Sequence, residues 1–424
     1  MKFAKHLSFV LLVGIMISAG VLFSVSAEKT TVTFVTLQDL IPNLQPVVNA
    51  YEKENPNVNV KLEGYPFNQL FEVIETKMKA HSNDVDILNV DAPLITNYSV
   101  KGYLEPLDSY FGKASKDEFL KSTITAASYK GKFMAAPLNS SSVGMYYNVD
   151  LFKKYGVAEP SLNPEKRWTW EEVVAAAQKL THSSEGIWGL AFDQFSQPYQ
   201  MLPLAQSLGG RGVSPNGLKA SGYLNAKPWI KAAQFYQDLF QKYKVSPLGV
   251  AAFQSPELFK SGKVAMLVTG PWHVNNFKSA QGLHWAYAPH PYFAGGKAVT
   301  PTGSWHVSIS KNSLHKKEAA DFVKFLTLRE GNQIYFDGDG NLPANKYTLQ
   351  YAQKQATTQG NQVMSLAIYE AEHTAMARPS TPGYLEWETA VAQAFEDIRN
   401  GGDPKKVLDK AAQQIDLTLA KYGR

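Results

Sequence analysis

Apolar residues follow two different periodicities along the chain, and stretches of the two kinds alternate. In the first hundred residues, runs of apolar and β-branched residues predict strands at 31–37, 58–62 and 85–90. Between these strands, apolar residues at helical spacing predict helices at 43–55 and 67–80. A strand–helix–strand–helix–strand run of this kind predicts a parallel sheet with right-handed crossovers.

The same alternation continues to the C-terminus and predicts an α/β protein throughout. Thr169 and Glu172 form a capping-box pattern at the start of one later helix. Residues 337–341 (DGDGN) lack the glycine and the distal glutamate of a calcium-binding loop, so we predict an ordinary turn there. The later predicted strands are 143–147, 263–269 and 305–310, and the later predicted helices are 170–180, 227–242, 316–328, 386–400 and 403–422.

The first 27 residues have the three parts of a secretory signal. Lys2 and Lys5 precede an apolar stretch at 7–23, and in Val25-Ser26-Ala27 small residues occupy the third and first positions before Glu28, as an A-x-A-like cleavage site requires. We expect export followed by cleavage after residue 27. The alternative is a retained membrane anchor, for which this glycine-containing stretch is short, because a span needs about 20 apolar residues.

Composition and charge narrow the classes of function. A chain of 424 residues predicts two or three domains, and its 44% hydrophobic and 19% charged residues exclude a disordered or fibrous protein. The absence of cysteine excludes disulfides, a Cys-ligated metal site, a thiol nucleophile and lipid attachment at an N-terminal cysteine. A formal net charge of +5 is too small and too dispersed to predict nucleic acid or an anionic membrane as the partner.

Motifs for catalysis and for cofactor binding are absent. The sequence has no phosphate-binding loop, no dinucleotide-binding glycine pattern, no zinc-protease helix motif and no nucleophile elbow. Glu370, Glu372 and His373 have no second histidine one helical turn away, so we predict no zinc site there. We therefore predict no catalytic residue, no metal and no cofactor.

Aromatic residues are frequent in the segments between predicted elements. The chain has 21 Tyr, 22 Phe and 8 Trp, and many of them stand beside Gly, Pro, Asp or Asn. Flat aromatic faces that cover C–H patches, combined with polar groups for hydroxyls, are what a sugar pocket requires. The alternative is that these rings fill the core. Examples are Tyr65-Pro66-Phe67, Gln197-Pro198-Tyr199, Gly270-Pro271-Trp272-His273, Gly303-Ser304-Trp305 and Pro382-Gly383-Tyr384.

Several short segments, spread over nearly the whole chain, occur in an order typical of one protein family. They are YEKENP at 51–56, VDILNVD at 85–91, KGYLEPL at 101–107, YKGKFMAAPLNSSSVGMYYN at 129–148, RWTW at 167–170, FKSGKVAMLVTGPW at 259–272, GSWHVSISKN at 303–312, EAADFVKFL at 318–326 and RPSTPGYLEW at 378–387. Together they resemble the extracellular solute-binding proteins of carbohydrate ABC importers, the maltose-binding-protein type.

The resemblance implies an α/β, two-lobe periplasmic-binding-protein-like fold of the class II type. Ligand would bind in the cleft between the lobes, and hinge bending would close the lobes over it. The chain would cross between lobes near 137–142, 302–305 and 342–346. The implied lobes are an N-terminal lobe of 28–140 plus 304–345 and a C-terminal lobe of 141–303 plus 346–424.

Contact residues follow from family positions and from the carboxyl ends of the predicted strands, where parallel sheets bind ligands. We expect Asp91 to accept hydrogen bonds from two vicinal hydroxyls, with capping of the next helix as the alternative. Trp272, in the GPW segment, resembles the position that supplies a stacking platform in the family. The predicted ligand-binding residues are Gln38, Asp39, Tyr65, Asp91, Asn139, Gln197, Tyr199, Trp272, Trp305, Arg378 and Tyr384.

These features predict a non-enzymatic, exported receptor that captures a neutral mono- to oligosaccharide and delivers it to the permease subunits of an ABC importer. We expect a monomer in the periplasm or associated with the cell envelope, with no nucleic-acid partner. One alternative is a binding protein for a polyol or a glycerol-phosphate-type ligand, and the phosphate would require basic side chains converging on the cleft. The other alternative is a secreted carbohydrate-active enzyme.

Overall fold

The computed structural model describes residues 29–302 and 305–423. The predicted signal segment, 1–27, therefore lies outside the described residues. The strands in chain order are β1 Thr30–Leu37, β2 Val58–Tyr65, β3 Ile87–Asp91, β4 Leu104–Glu105, β5 Ser128–Tyr129, β6 Lys132–Phe133, β7 Ala136–Pro137, β8 Asn139–Ser140, β9 Gly144–Asn148, β10 Trp188–Phe192, β11 Val264–Thr269, β12 Trp285–Pro289, β13 Thr300–Thr302, β14 Trp305–Ser310, β15 Leu342–Pro343 and β16 Ala375–Ala377.

Helices connect these strands and cover the sheets. They are α1 Ile41–Glu54, α2 Phe67–Lys79, α3 Leu94–Val100, α4 Asp108–Asp117, α5 Lys121–Ala126, α6 Val149–Lys154, α7 Trp170–Leu180, α8 Pro198–Ser207, α9 Lys227–Gln241, α10 Ser255–Lys260, α11 Val274–Lys278, α12 Lys316–Thr327, α13 Arg329–Asp339, α14 Lys346–Thr358, α15 Gln362–His373, α16 Tyr384–Arg399 and α17 Pro404–Leu419. Within the described ranges, none of these helices is long and apolar enough to cross a membrane.

The first sheet has the strand order β2-β1-β3-β14-β4, with β7 also paired to β14. Strands β1, β2 and β3 are parallel, which confirms the parallel sheet predicted from the alternating strands and helices. Strand β14 is antiparallel to β3, although the two are more than 200 residues apart in sequence. The chain therefore leaves this sheet after β7 and returns to it at β14.

The second sheet has the strand order β10-β11-β9-β12 and is built from the intervening chain. Strands β10 and β11 are parallel, whereas β9 is antiparallel to both of its neighbours. Helices α7, α9 and α16 each bury a tryptophan completely against this part of the core, at Trp170, Trp229 and Trp387. Two sheets with separate helical layers give the predicted two-lobe α/β architecture.

Short antiparallel and parallel pairs join the segments that run between the two sheets. Strand β8, just after β7, pairs with β15, so that Asn139 lies opposite Pro343. Strand β13, just before β14, pairs with β16. These pairs lie close to the three crossings expected from the resemblance. The residue boundaries of the lobes stay a prediction.

Most elements predicted from periodicity are present within two residues of their expected ends. The capping box at Thr169 and Glu172 is confirmed by reciprocal hydrogen bonds at the start of α7. The turn predicted at 337–341 is wrong, because residues up to Asp339 belong to α13 and Gly340 ends that helix with a φ of 72°. Burial of Tyr335 and Phe336 supports α13 despite its two glycines.

Candidate functional site

A cavity of about 580 Å³ lies between the two sheets, at the carboxyl ends of their parallel strands. Leu37, Tyr65 and Asp91 are the last residues of β1, β2 and β3, and they line it from the first sheet. Asp193 follows β10, and Trp272 follows β11, on the opposite side. This is the place where sheets of this kind hold ligands.

Asp91 and Arg378 form a buried, bidentate ion pair on one wall of the cavity. Arg378 Nη1 donates to Asp91 Oδ2 at 2.7 Å, and Arg378 Nη2 donates to Asp91 Oδ1. The guanidinium carbon also lies 5.2 Å from the centre of the Tyr199 ring. Burial opposes the charge of Arg378, but the charge and hydrogen bonds of Asp91, together with Tyr384 and Glu388, outweigh burial and raise the pKa of Arg378.

The structure gives Asp91 a partner that the sequence analysis did not predict. Each of its carboxylate oxygens accepts a hydrogen bond from Arg378 and keeps a second acceptor site, so the expected contact with ligand hydroxyls stays a prediction. The alternative role, capping of the next helix, is not observed, because α3 has no side-chain cap. Asp91 therefore holds Arg378 in place at the cavity wall.

Glu388 is a titratable group beside this ion pair that the sequence did not single out. It lies on α16 and lines the cavity, and its Oε1 accepts a hydrogen bond from the Tyr384 hydroxyl at 3.2 Å. Burial raises the pKa of Glu388 from 4.5 to about 7; Arg378 opposes this rise, and Asp91 adds to it. Near neutral pH, Glu388 can therefore act as a hydrogen-bond donor as well as an acceptor.

Asp193 organises the opposite wall. Its Oδ2 accepts hydrogen bonds from Thr269 Oγ1 at 2.9 Å and from Trp272 Nε1 at 3.3 Å, and His273 Nε2 lies 3.1 Å away. The Trp272 ring lies against Gly270, where an added Cβ would come within 1.9 Å of the ring. Only glycine fits there, so the backbone and Asp193 together fix the position of the half-buried indole.

Further aromatic rings line the first-lobe side of the cavity. Trp305 lies opposite Asp91 in the register of β14 and β3, and its ring stacks on Phe71 with 6.4 Å between centroids and 11° between planes. Phe67, at the start of α2, meets Trp305 edge to face at 6.3 Å. Trp305 is half-buried and lines the cavity, so it is not a core residue.

The floor of the cavity is formed where the chain crosses between the sheets. Asn139 Nδ2 donates to Asp339 Oδ2 at 2.9 Å, and the Trp305 backbone N–H donates to Asn139 Oδ1 at 3.1 Å. Burial raises the pKa of Asp339, and the hydrogen bond from Asn139 opposes that rise. Asn139 thus ties together β8, α13 and β14, three segments that meet at the crossings.

The structure brings most of the predicted contact residues to this one cavity and leaves two outside it. Gln38 is exposed and is not part of the lining, and Tyr384 is completely buried behind Arg378 and Glu388. The predicted residues that line the cavity are Asp39, Tyr65, Asp91, Asn139, Gln197, Tyr199, Trp272, Trp305 and Arg378.

Several lining residues were missed by the sequence analysis. Asp193 and Gln194 follow β10, so recognition of that strand would have indicated them by the same strand-end rule. Glu388 lies inside a helix, where no local signal distinguishes it from a solvent-facing glutamate. The missed residues with polar side chains are Asn43, Ser141, Asp193, Gln194, His273, Asn275, Asn276, Asp339, Asn341 and Glu388.

The chemistry of the cavity is that of recognition by hydrogen bonds and aromatic surfaces. Its lining alternates carboxylates and amides with the rings of Tyr65, Tyr199, Trp272 and Trp305. In residues 29–302 and 305–423, no three His, Asp or Glu side chains are grouped as a metal site would require.

The sequence profile described as "Bacterial extracellular solute-binding protein" matches residues 36–333, more than half of the chain. The chain belongs to this family. A binding protein of Brucella abortus is 27% identical over 387 residues, which are 90% of each chain. The maltooligosaccharide ABC transporter solute-binding lipoprotein of Streptococcus pneumoniae is 24% identical over 388 residues, 90% of this chain and 87% of that one.

Solved structures of family members share the fold. An ABC substrate-binding protein from Listeria monocytogenes, solved in complex with cycloalternan, superposes with a TM-score of 0.81 at 25% identity, covering 93% of this chain and 100% of that one. The two-lobe α/β fold and the resemblance to carbohydrate ABC solute-binding proteins are thereby confirmed.

Proposed function

We propose that this protein is a non-enzymatic receptor that binds a neutral carbohydrate in the cavity between its lobes and delivers it to an ABC importer. Membership of the family, the maltooligosaccharide-binding relative and the cycloalternan complex of the Listeria protein support a carbohydrate ligand and an importer partner. The observation that carries the choice of a neutral ligand is the pairing of the basic groups in the cavity.

Among the described residues that line the cavity, the basic side chains are those of Arg378 and His273. Arg378 is neutralised by Asp91, and His273 lies within hydrogen-bond distance of Asp193. A phosphate would need several free cationic or N–H groups converging on it. The arrangement therefore favours an uncharged ligand over a phosphorylated one.

The aromatic and amide side chains supply the remaining contacts in this proposal. Trp272 and Tyr199, with ring centroids 6.1 Å apart at 55°, form an angled surface for the C–H face of a sugar ring. Asp39, Asn139 and Gln197 would hydrogen-bond hydroxyls. Arg378, held by Asp91, would present its remaining N–H groups to ring or hydroxyl oxygens.

We further propose that the protein acts outside the cytoplasm as a monomer and without a nucleic-acid partner. The extracellular character of the family supports export. The predicted signal at 1–27 and the absence of cysteine support a cleaved, non-lipidated protein in the periplasm or at the cell envelope. The small net charge of +5 supports a protein that has no nucleic-acid partner.

Thermal unfolding of the purified protein against a ligand panel tests the proposal. The panel contains glucose, maltose, sucrose, trehalose, cello- and xylo-oligosaccharides, mannitol and glycerol 3-phosphate. A ligand at about 100 times its Kd should stabilise the protein by about 2.7 kcal/mol, which raises Tm by a few degrees. We expect a response to a neutral sugar, and a response only to the phosphate ester would contradict the proposal.

A further inference from the structure

Helix α3 of the first lobe contacts the segment 378–384 of the second lobe beside the cavity. The helix follows strand β3 of the first sheet, and the segment leads into α16, whose Trp387 is buried in the core below the second sheet. Asp91, just before α3, and Arg378 line the cavity, whereas the other contacts between these two stretches lie outside its lining. Those outer contacts are therefore made by protein atoms alone.

Two polar contacts along α3 continue the line that begins with the ion pair at the cavity wall. The hydroxyl oxygens of Thr96 and Ser380 lie 3.1 Å apart, within hydrogen-bond distance. Asn97 Nδ2 donates to the backbone carbonyl of Pro382, and the Asn97 side chain is completely buried. The two lobes therefore fit closely enough at this point to exclude water from a polar side chain.

An aromatic pair forms another contact across the cleft. Phe67 begins α2 in the first lobe, and the N–H of Phe253 donates to the backbone carbonyl of Asp193, which follows β10 of the second sheet. The ring centroids of Phe67 and Phe253 lie 5.3 Å apart at an interplanar angle of 48°. The rings keep 36% and 44% of their surface exposed, so this pair can separate without opening a core.

The second lobe holds Arg378 in position for the ion pair. The guanidinium carbon lies 5.2 Å from the centre of the Tyr199 ring and 5.9 Å from that of Tyr384, and both rings stand on helices of the second lobe. Glu388 of the same lobe is close enough to affect the charge of Arg378, yet the bidentate hydrogen bonds cross the cleft to Asp91. Arg378 is therefore a preorganised charge whose hydrogen-bonding carboxylate comes from the other lobe.

We propose that the Asp91–Arg378 ion pair, together with the contacts of α3 to the segment 378–384, is a latch that closes the lobes of the unliganded protein. A ligand then selects a closed state that the free protein already populates. The latch strengthens binding, because the apparent Kd equals the intrinsic Kd divided by the closed fraction. The inference rests on the proposed function only for this effect on affinity, since the latch itself is a property of the two lobes.

Disulfide trapping measures closure directly, because the chain has no native cysteine. In the variant Thr96→Cys with Ser380→Cys, the two sulfurs replace oxygens that lie 3.1 Å apart, and they can bond only while the lobes are closed. The purified variant is treated with oxidised glutathione in the absence of sugar, and its free thiols are counted by mass spectrometry over time. We expect the pair to oxidise in most molecules.

The same cysteine pair in the background Asp91→Asn with Arg378→Met tests the ion pair. This background removes both charges together, so that neither is left buried alone. Oxidation should become slower by about tenfold or more, and small-angle X-ray scattering should give a larger radius of gyration than for the unmodified protein. The control is Thr31→Cys with Asn59→Cys, whose side chains lie 3.4 Å apart on strands β1 and β2 of one lobe, and it should oxidise equally in both backgrounds.

Two results would overturn the inference. If the pair at Thr96 and Ser380 oxidises only after addition of the sugar that most raises Tm, the ligand closes the lobes, and the proposed function stands without the latch. If oxidation and the radius of gyration are the same in both backgrounds, Asp91 and Arg378 do not hold the lobes together. Oxidation as expected, with no sugar of the panel raising Tm, would support the latch and contradict the proposed function alone.

Discussion

The raised pKa of Glu388 makes a quantitative prediction about stability. Its folded-state pKa of about 7 exceeds the ordinary value of 4.5, so between these values the folded protein holds a proton that the unfolded chain has lost. Below pH 4.5 the group is protonated in both states and the folded protein keeps its full stability. The free energy of unfolding then falls as pH rises from 4.5 through 7, because the folded protein must hold or give up a proton that the unfolded chain has already lost. Glu388→Gln, which keeps the shape but cannot ionise, should remove this loss.

The size of the effect follows from the shift. One pKa unit corresponds to about 1.4 kcal/mol, so a rise from 4.5 to about 7 gives a loss of at most about 3 kcal/mol between pH 4.5 and pH 8. Glu388 keeps part of its surface open to the cavity, where water screens the charge, so the measured value should lie below this limit. Relative to the unmodified protein, Glu388→Gln should therefore gain stability as pH increases.

Urea unfolding from pH 5 to pH 8 measures the difference directly. Glu386→Gln is the matched control, because Glu386 lies two residues away on α16 and is paired with Lys421 at 2.9 Å. Burial opposes ionisation of Glu386, but the hydrogen bond and charge of Lys421 and a backbone hydrogen bond together outweigh burial and lower the pKa of Glu386. Glu386→Gln should therefore show no pH slope in this range. A Glu388→Gln variant whose stability stays parallel to that of the unmodified protein would refute the reasoning.

Substitutions at Trp272 and in the Asp91–Arg378 pair test the two walls of the cavity. Trp272→Ala should weaken sugar binding by about tenfold or more with a smaller effect on Tm, measured by calorimetry and thermal unfolding; unchanged affinity with a collapsed Tm would make Trp272 a core residue. Asp91→Asn should lower the free energy of unfolding by about 3–5 kcal/mol, because it leaves the Arg378 guanidinium buried without a counter-charge. Combining it with Arg378→Met should restore much of this loss in urea unfolding, and simple addition of the two single effects would argue against a coupled pair.

The sequence was sufficient to find the parts of the site that follow regular strands. Tyr65 and Asp91 are the last residues of strands with clear apolar patterns, and Trp272 lies three residues after another such strand. Parallel strands bring their carboxyl ends to one edge of a sheet. Asp193 was missed because the strand before it, β10, contains Gly189. Glycine is required there because an added Cβ would lie 2.2 Å from the carbonyl oxygen of Ala177 in α7, and this close approach hides the strand pattern.

Other parts of the site depend on tertiary contacts that leave no local pattern. Glu388 is one polar residue of an amphipathic helix, and only the approach of Arg378 and Tyr384 makes it a cavity residue with a raised pKa. The aromatic pair of Phe67 and Phe253 joins residues nearly 200 positions apart. The ion pair of Asp91 was missed for the same reason, since its partner Arg378 is distant in sequence.

A single comparison tests the central claim most directly: calorimetric titration of the purified protein with the neutral sugar that most raises Tm and with the phosphate ester of the same sugar. Because Arg378 and His273 are engaged by Asp91 and Asp193, the neutral sugar should bind and the ester should bind much more weakly or not at all. Tighter binding of the ester would contradict the account, because it would mean that the cleft provides free positive charge.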